Sequence, residues 1–190
     1  MEVVAMCPDR QTTARTDSGT AAARSRGTYL IVGCGRWSMG DDQAGLLAAS
    51  RIRERDLPNT VVITSEDPVA DLAAEDLRDL DVLIVVDAAR ADEQHPAGSF
   101  LRMDYQDRPR FLIPRTGIDT HSISVAAALE LAASLKRLPS NVWIYMVFGG
   151  GFDRCMALDA VPSAAVSSLA DRIENDINEW RRSALCTNSP

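Results

Sequence analysis

The chain has 190 residues, enough for one domain with a sizeable core, and its 46% hydrophobic and 25% charged content is that of a soluble globular protein. A net charge of −7, from 20 basic and 27 acidic residues, disfavours nucleic acid or an anionic membrane surface as partner, because both reward a positive field. The sequence contains no run of 18 apolar residues, which argues against a membrane span.

The opening stretch MEVVAMCPDRQTTARTDSGTAAARSRG lacks the basic-then-apolar order of a secretory signal and is poor in large apolar residues. Residues 1–27 read as a mobile tail, 28–184 as a single domain and 185–190 as a short C-terminal tail. Cys7, Cys34, Cys155 and Cys186 are scattered, with no CxxC pair and no metal spacing, as expected of reduced thiols in a cytoplasmic protein.

From Thr28 onward, apolar runs and helical periodicities alternate. TYLIVG (28–33) is continuously apolar and ends in glycine, the pattern of a strand buried in a parallel sheet. DDQAGLLAASRIRER (41–55) predicts a helix with Asp41 or Asp42 at its N-terminus, where a carboxylate caps free N–H groups and suits the dipole. Pro58 and Asn59 break the chain before a second strand, VVIT (61–64). PVADLAAEDLRDL (68–80) predicts a short helix with Pro68 in its first turn. DVLIVVDA (81–88) is the strongest strand pattern, since the apolar run Val82 to Val86 leads directly into Asp87.

ADEQHPAG (91–98) reads as loop, SFLRMD (99–104) as an edge strand, and DRPRFLIPRTG (107–117) as irregular. HSISVAAALELAASLKRL (121–138) predicts a helix buried on most faces and stopped by Pro139. NVWIYMVFG (141–149) is a further buried strand, and GGG (149–151) opens what reads as a flexible loop. In the last helix, about 161–182, Val166, Leu169, Ile173, Ile177 and Trp180 recur at helical steps as one core-facing stripe. The alternation defines an α/β fold, a mainly parallel sheet flanked by helices on both faces. Such sheets hold ligands at the carboxyl ends of their strands, here Gly33–Gly35, Asp87 and Gly149–Gly151.

Gly33-Cys34-Gly35-Arg36-Trp37-Ser38 begins like a dinucleotide fingerprint, and Glu66 follows the second strand where a ribose-binding acid belongs. Ser38 replaces the third glycine, however, and Asp41 and Asp42 occupy the helix start where a pyrophosphate would sit. Each acid would repel each phosphate charge by roughly 1 kcal/mol even in water. Carboxylates point instead to a cation. Asp42 after strand one, Asp87 on strand three and His121 at a helix start all fall at the ligand-bearing rim. Two carboxylates and one imidazole hold a divalent transition metal while leaving coordination positions open. Taken singly, Asp42 reads as a helix cap, His121 as a helix-start residue and Cys34 as a small buried residue, whereas His95 reads as solvated among polar neighbours.

These segments in this order resemble the nickel-iron (NiFe) hydrogenase maturation endopeptidases. That family opens with a strand, a G-x-G-N segment, two acids and a glycine, as in GCGRWSMGDDQAG (33–45). It continues with a strand ending in Asp-Ala (LIVVDAA, 83–89), a Pro-Gly-Thr/Ser step (loosely PAGS, 96–99) and a histidine opening an apolar helix before a last strand (120–149). VPSAAVSSLADRIENDINEW (161–180) matches the closing helix, so the resemblance spans Tyr29 to Trp180.

The resemblance implies a twisted five-stranded sheet between helices and removal of a C-terminal peptide from a hydrogenase large-subunit precursor once nickel is installed. It assigns metal contact and catalysis to Asp42, Asp87 and His121, with nickel carried by the precursor. Asp42 or Asp41 would serve as base, Asp41 would contact substrate, and Arg36 would bind a substrate carboxylate, pair with the acids or form a surface salt bridge. The chain departs from the family at Arg36, Trp37, Gln43 and Asp119, and in GGGFD after the last strand. The rival readings are a non-catalytic binding or scaffold protein on the same fold and a nucleotide-binding protein.

Overall fold

Apolar runs become the strands, and what terminates each element decides where the site lies. The computed structural model describes residues 28–107, 120–154 and 156–186. In chain order these form β1 (Tyr29–Cys34), α1 (Ala44–Arg53), β2 (Thr60–Ser65), α2 (Pro68–Ala74), β3 (Val82–Arg90), β4 (Phe100–Asp104), α3 (Thr120–Ser134), β5 (Val142–Gly149) and α4 (Ala160–Cys186). One five-stranded sheet runs in the order β2-β1-β3-β5-β4. The first four are mutually parallel and β4 pairs antiparallel with β5, as an edge strand. The α/β fold expected from the alternating pattern is therefore present, with β4 making the sheet mixed.

Alternate residues of the strands feed two cores. Tyr29, Ile31, Val82, Ile84, Val86, Trp143 and Tyr145 pack against α1 and α4 on one face. Leu30, Val32, Cys34, Leu83, Val85 and Ile144 pack against α2 and α3 on the other. The α4 stripe is as read: Val166, Leu169, Ile173 and Ile177 are buried, and Trp180 meets Trp143 edge to face with centroids 5.7 Å apart. Behind β5, the Tyr145 hydroxyl donates to Asp176 at 2.6 Å, and Arg172 and Arg102 donate to the same carboxylate, a satisfied polar network that fixes the rotation of α4.

Several boundaries differ from the sequence reading. The acid pair does not begin α1; a 3-10 turn, Gly40–Gln43, comes first. The short helix α2 has Asp67 as N-cap, accepting from Ala70 N at 3.1 Å, and ends at Ala74 because Glu75 is extended. Strand β3 continues to Arg90, paired with β5 throughout, so Asp87 lies within the strand. Helix α3 ends at Ser134, well before Pro139. Lys136 takes a left-handed φ of 54°, and the amides of Lys136 and Arg137 return to the carbonyls of Ala133 and Ala132, a Schellman closure. Ala127, Glu130, Leu131 and Ser134 are exposed, so the described part of α3 buries one face rather than most of them. Residues 1–27, 187–190 and most of the irregular 107–117 segment lie outside the described residues.

Gly45 sets how closely α1 approaches the sheet. A Cβ there would collide with the backbone carbonyl oxygens of Cys34 and Val86, neither of which can give way. The first turn of α1 thus rests directly on the ends of β1 and β3. Gly45→Ala is expected to cost about 1–3 kcal/mol of unfolding free energy. Gly150→Ala is the control: a Cβ there meets nothing, and the change should stay within about 0.5 kcal/mol by urea denaturation.

Candidate functional site

The sheet order reverses between β1 and β3: from β1 the chain goes first to β2 on one side, then to β3 on the other. An open α/β sheet forms a crevice at such a point, beyond the strand carboxyl ends. A small pocket of about 20 Å³ lies there, lined by Cys34, Gly35, Arg36, Glu66, Asp87 and Val125 among others. Its polar members come from β1, from the loop after it, from the end of β2 and from β3.

Asp87 is 3% exposed, and its carboxylate accepts from the amide of Ala88 at 2.9 Å. Its register partner on β5 is Met146, whereas β1 pairs with β3 only as far as Val86. Asp87 is therefore the first β3 residue beyond the β1 ladder, which is how a carboxylate within a strand comes to line a crevice. Asp42 is 1% exposed, and its Oδ2 accepts from Arg36 Nε at 3.3 Å. Arg36 lines the pocket with Asp87, so the guanidinium joins the Asp42 carboxylate to the same space.

His121 lies in the first turn of α3, one helical turn ahead of pocket-lining Val125. Its side chain lies outside the described residues, as does Asp119. Among the described residues, no group of three or more His, Cys, Asp and Glu is placed to hold a metal ion. Of the sequence-derived triad, Asp87 lines the pocket, Asp42 is tied to its wall through Arg36, and His121 is placed by its helix alone.

The neighbouring acid is committed elsewhere. Asp41 Oδ2 accepts from the amides of Gly150 at 2.8 Å and Gly151 at 2.9 Å, and Oδ1 accepts from Asp159 N at 3.0 Å. A Cβ on Gly149 would strike this carboxylate. Further bonds fasten the same two loops: Asp41 N to Gly151 O at 2.6 Å, Gly40 N to Met156 O at 3.1 Å, and Gln43 Nε2 to Gly40 O and Met156 O. The triple-glycine segment is a clasped loop and not the flexible one expected, because its amides are the donors that a buried carboxylate needs. Asp41 caps these amides in place of the start of α1. Gln43, a departure from the family pattern, is part of the same fastening.

Cys34 is buried, and burial pushes its thiol well above the usual range, reinforced by the negative charges of Asp87, Asp71 and Asp42. It therefore stays a neutral thiol at ordinary pH and is a poor nucleophile or metal ligand. His95, expected to be solvated, instead stacks on Phe148 with centroids 4.5 Å apart and faces Asp92. Trp37 is exposed beside the acid pair. Sequence reasoning missed Val125 as a pocket wall and Asp159 as part of the clasp. The periodicity of α3 could have found Val125, but no local signal marks Asp159.

The fold is that of solved hydrogenase maturation endopeptidases. HybD from E. coli superposes with a TM-score of 0.68 at 14% identity, over 80% of this chain and 93% of its own. An endopeptidase from Escherichia coli solved in solution gives 0.70 at 17% identity, over 80% and 93%. The NiFe hydrogenase maturation protease HybD from Thermococcus kodakarensis gives 0.60 at 19% identity, over 78% and 97%. No protein-family model and no curated protein matches the chain. Among the described residues no helix is long and apolar enough to cross a membrane.

The Asp41 clasp has a direct test. Asp41→Ala would leave three backbone donors without their acceptor and is expected to cost on the order of 3 kcal/mol by urea denaturation. Hydrogen exchange at Gly150, Gly151 and Asp159 should accelerate in the variant, and unchanged protection would show that other bonds hold the loop.

Proposed function

We propose that this chain is an endopeptidase that removes the C-terminal peptide from a nickel-loaded NiFe-hydrogenase large-subunit precursor in the cytoplasm. The observation that carries this reading is a switch-point pocket lined by Asp87 and by Arg36, which is paired with the buried Asp42, in a fold whose solved examples include hydrogenase maturation endopeptidases. The nickel is part of the substrate. Asp42, Asp87 and His121 are its protein contacts, two carboxylates and an imidazole that suit a divalent transition metal.

Nickel seated in the precursor anchors the scissile region in the pocket and polarises the carbonyl or an attacking water. The proton released in that attack goes to a carboxylate. Asp42 fits this role better than Asp41, whose two oxygens already accept from backbone amides. Cys34 stays out of the reaction, because its burial keeps the thiol protonated.

Incubation with nickel-loaded precursor, followed by mass spectrometry, should reveal loss of the C-terminal peptide, with nickel-free precursor left intact. Asp42→Ala, Asp87→Ala and His121→Ala should each lower the cleavage rate by about 100-fold or more while the circular dichroism spectrum is retained. Cys34→Ala should retain cleavage within a few-fold. Equal cutting of nickel-free precursor would overturn nickel recognition. Precursor binding without turnover would replace the peptidase with a scaffold protein on the same fold.

A further inference from the structure

A cation of the chain's own already faces one of the carboxylates assigned to the substrate's metal. Arg36 Nε lies 3.3 Å from Asp42 Oδ2, and the guanidinium side chain is 41% exposed while the carboxylate is 1% exposed. A carboxylate so deeply withdrawn from water requires a compensating charge or a set of donors. Asp41, next to it, has three backbone amides. Asp42 has a guanidinium.

We infer that Arg36 is a displaceable counterion that holds Asp42 against free divalent cations and gives way to a metal delivered by a docked substrate. The inference rests on the reading that Asp42 contacts the precursor's nickel. The guanidinium and a metal ion compete for the same buried carboxylate, and both are positive, so they cannot share it without strong repulsion. Apparent affinity for a metal falls by the fraction of molecules in which Asp42 is released. A free ion brings only its own charge to that contest. A precursor brings its docking contacts as well, and these offset the cost of moving the arginine.

The local backbone suits this exchange. Gly35 has φ of 142° and approaches the Asp42 carbonyl so closely that no side chain fits, which fixes the point from which Arg36 departs. The Arg36 side chain is partly in solvent, which leaves it room to swing outward. The position after the second glycine, where the resembling family carries Asn, thereby becomes a selectivity element in this chain.

Calorimetric titration of the purified full chain with nickel chloride, without precursor, tests the inference. Arg36→Gln is expected to bind nickel at least tenfold more tightly than the unaltered chain, which corresponds to about 1.4 kcal/mol. Arg36→Lys, which keeps the charge, should return toward the unaltered affinity, and Arg36→Gln with Asp42→Asn should lose the gain. Equal affinity of the unaltered chain and Arg36→Gln, including no detectable binding by either, overturns the inference, as does a gain that survives loss of Asp42. Because no cleavage enters the titration, the result separates from the proposed activity: tighter nickel binding by Arg36→Gln beside an inert precursor assay supports the counterion and removes the peptidase.

Discussion

The buried carboxylate of Asp41 holds the ligand end of the sheet together. It belongs to the loop leaving β1, and its three donors belong to the loop leaving β5. Those two strands flank β3, so the clasp bridges across the central strand on its carboxyl-terminal side. A charged acceptor with three amide donors is a stronger tie than the same number of neutral bonds, and its burial makes it costly to open. Beside it, the close seating of Gly45 on the carbonyls of Cys34 and Val86 sets the first turn of α1 on the strand ends.

Adjacent acids of one turn carry unrelated tasks because of the turn's geometry. A 3-10 helix advances about 120° per residue, so consecutive side chains leave in different directions. Asp41 is carried toward the β5 loop and Asp42 toward Arg36. The glycines on either side let the backbone come close enough for both. The motif GCGRWSMGDDQAG thus combines a close helix–sheet approach, a clasp and a charged pocket wall in thirteen residues.

Much of the architecture was legible in the residues because burial on two faces leaves a plain mark: the apolar runs of β1, β3 and β5 and the stripe of α4 need no distant information. The pocket that Asp87 lines followed from the rule for parallel sheets, which turns strand order into pocket position. What escaped was decided by distant partners or by subtle local closure. The glycines at 149–151 look loose in sequence, and only the fold brings Asp41 to them. Helix α3 looks as if Pro139 ends it, yet Lys136 has already turned the chain. His95 sits among polar neighbours in the chain, but its ring rests on Phe148, a residue of β5.

The sheet order also governs how this chain reaches its native state. Every strand pairing crosses at least one helix, and β3, at the centre, waits for a partner from each half of the chain. Among the described residues no two strands are joined as a hairpin, so the sheet has no local seed. Loop closure must precede the contacts that reward it, which places the chain among slow folders for its size. The Asp41 clasp joins residues more than 100 positions apart. Both the clasp and the packing of α1 on α4 therefore wait for the two halves of the chain to meet.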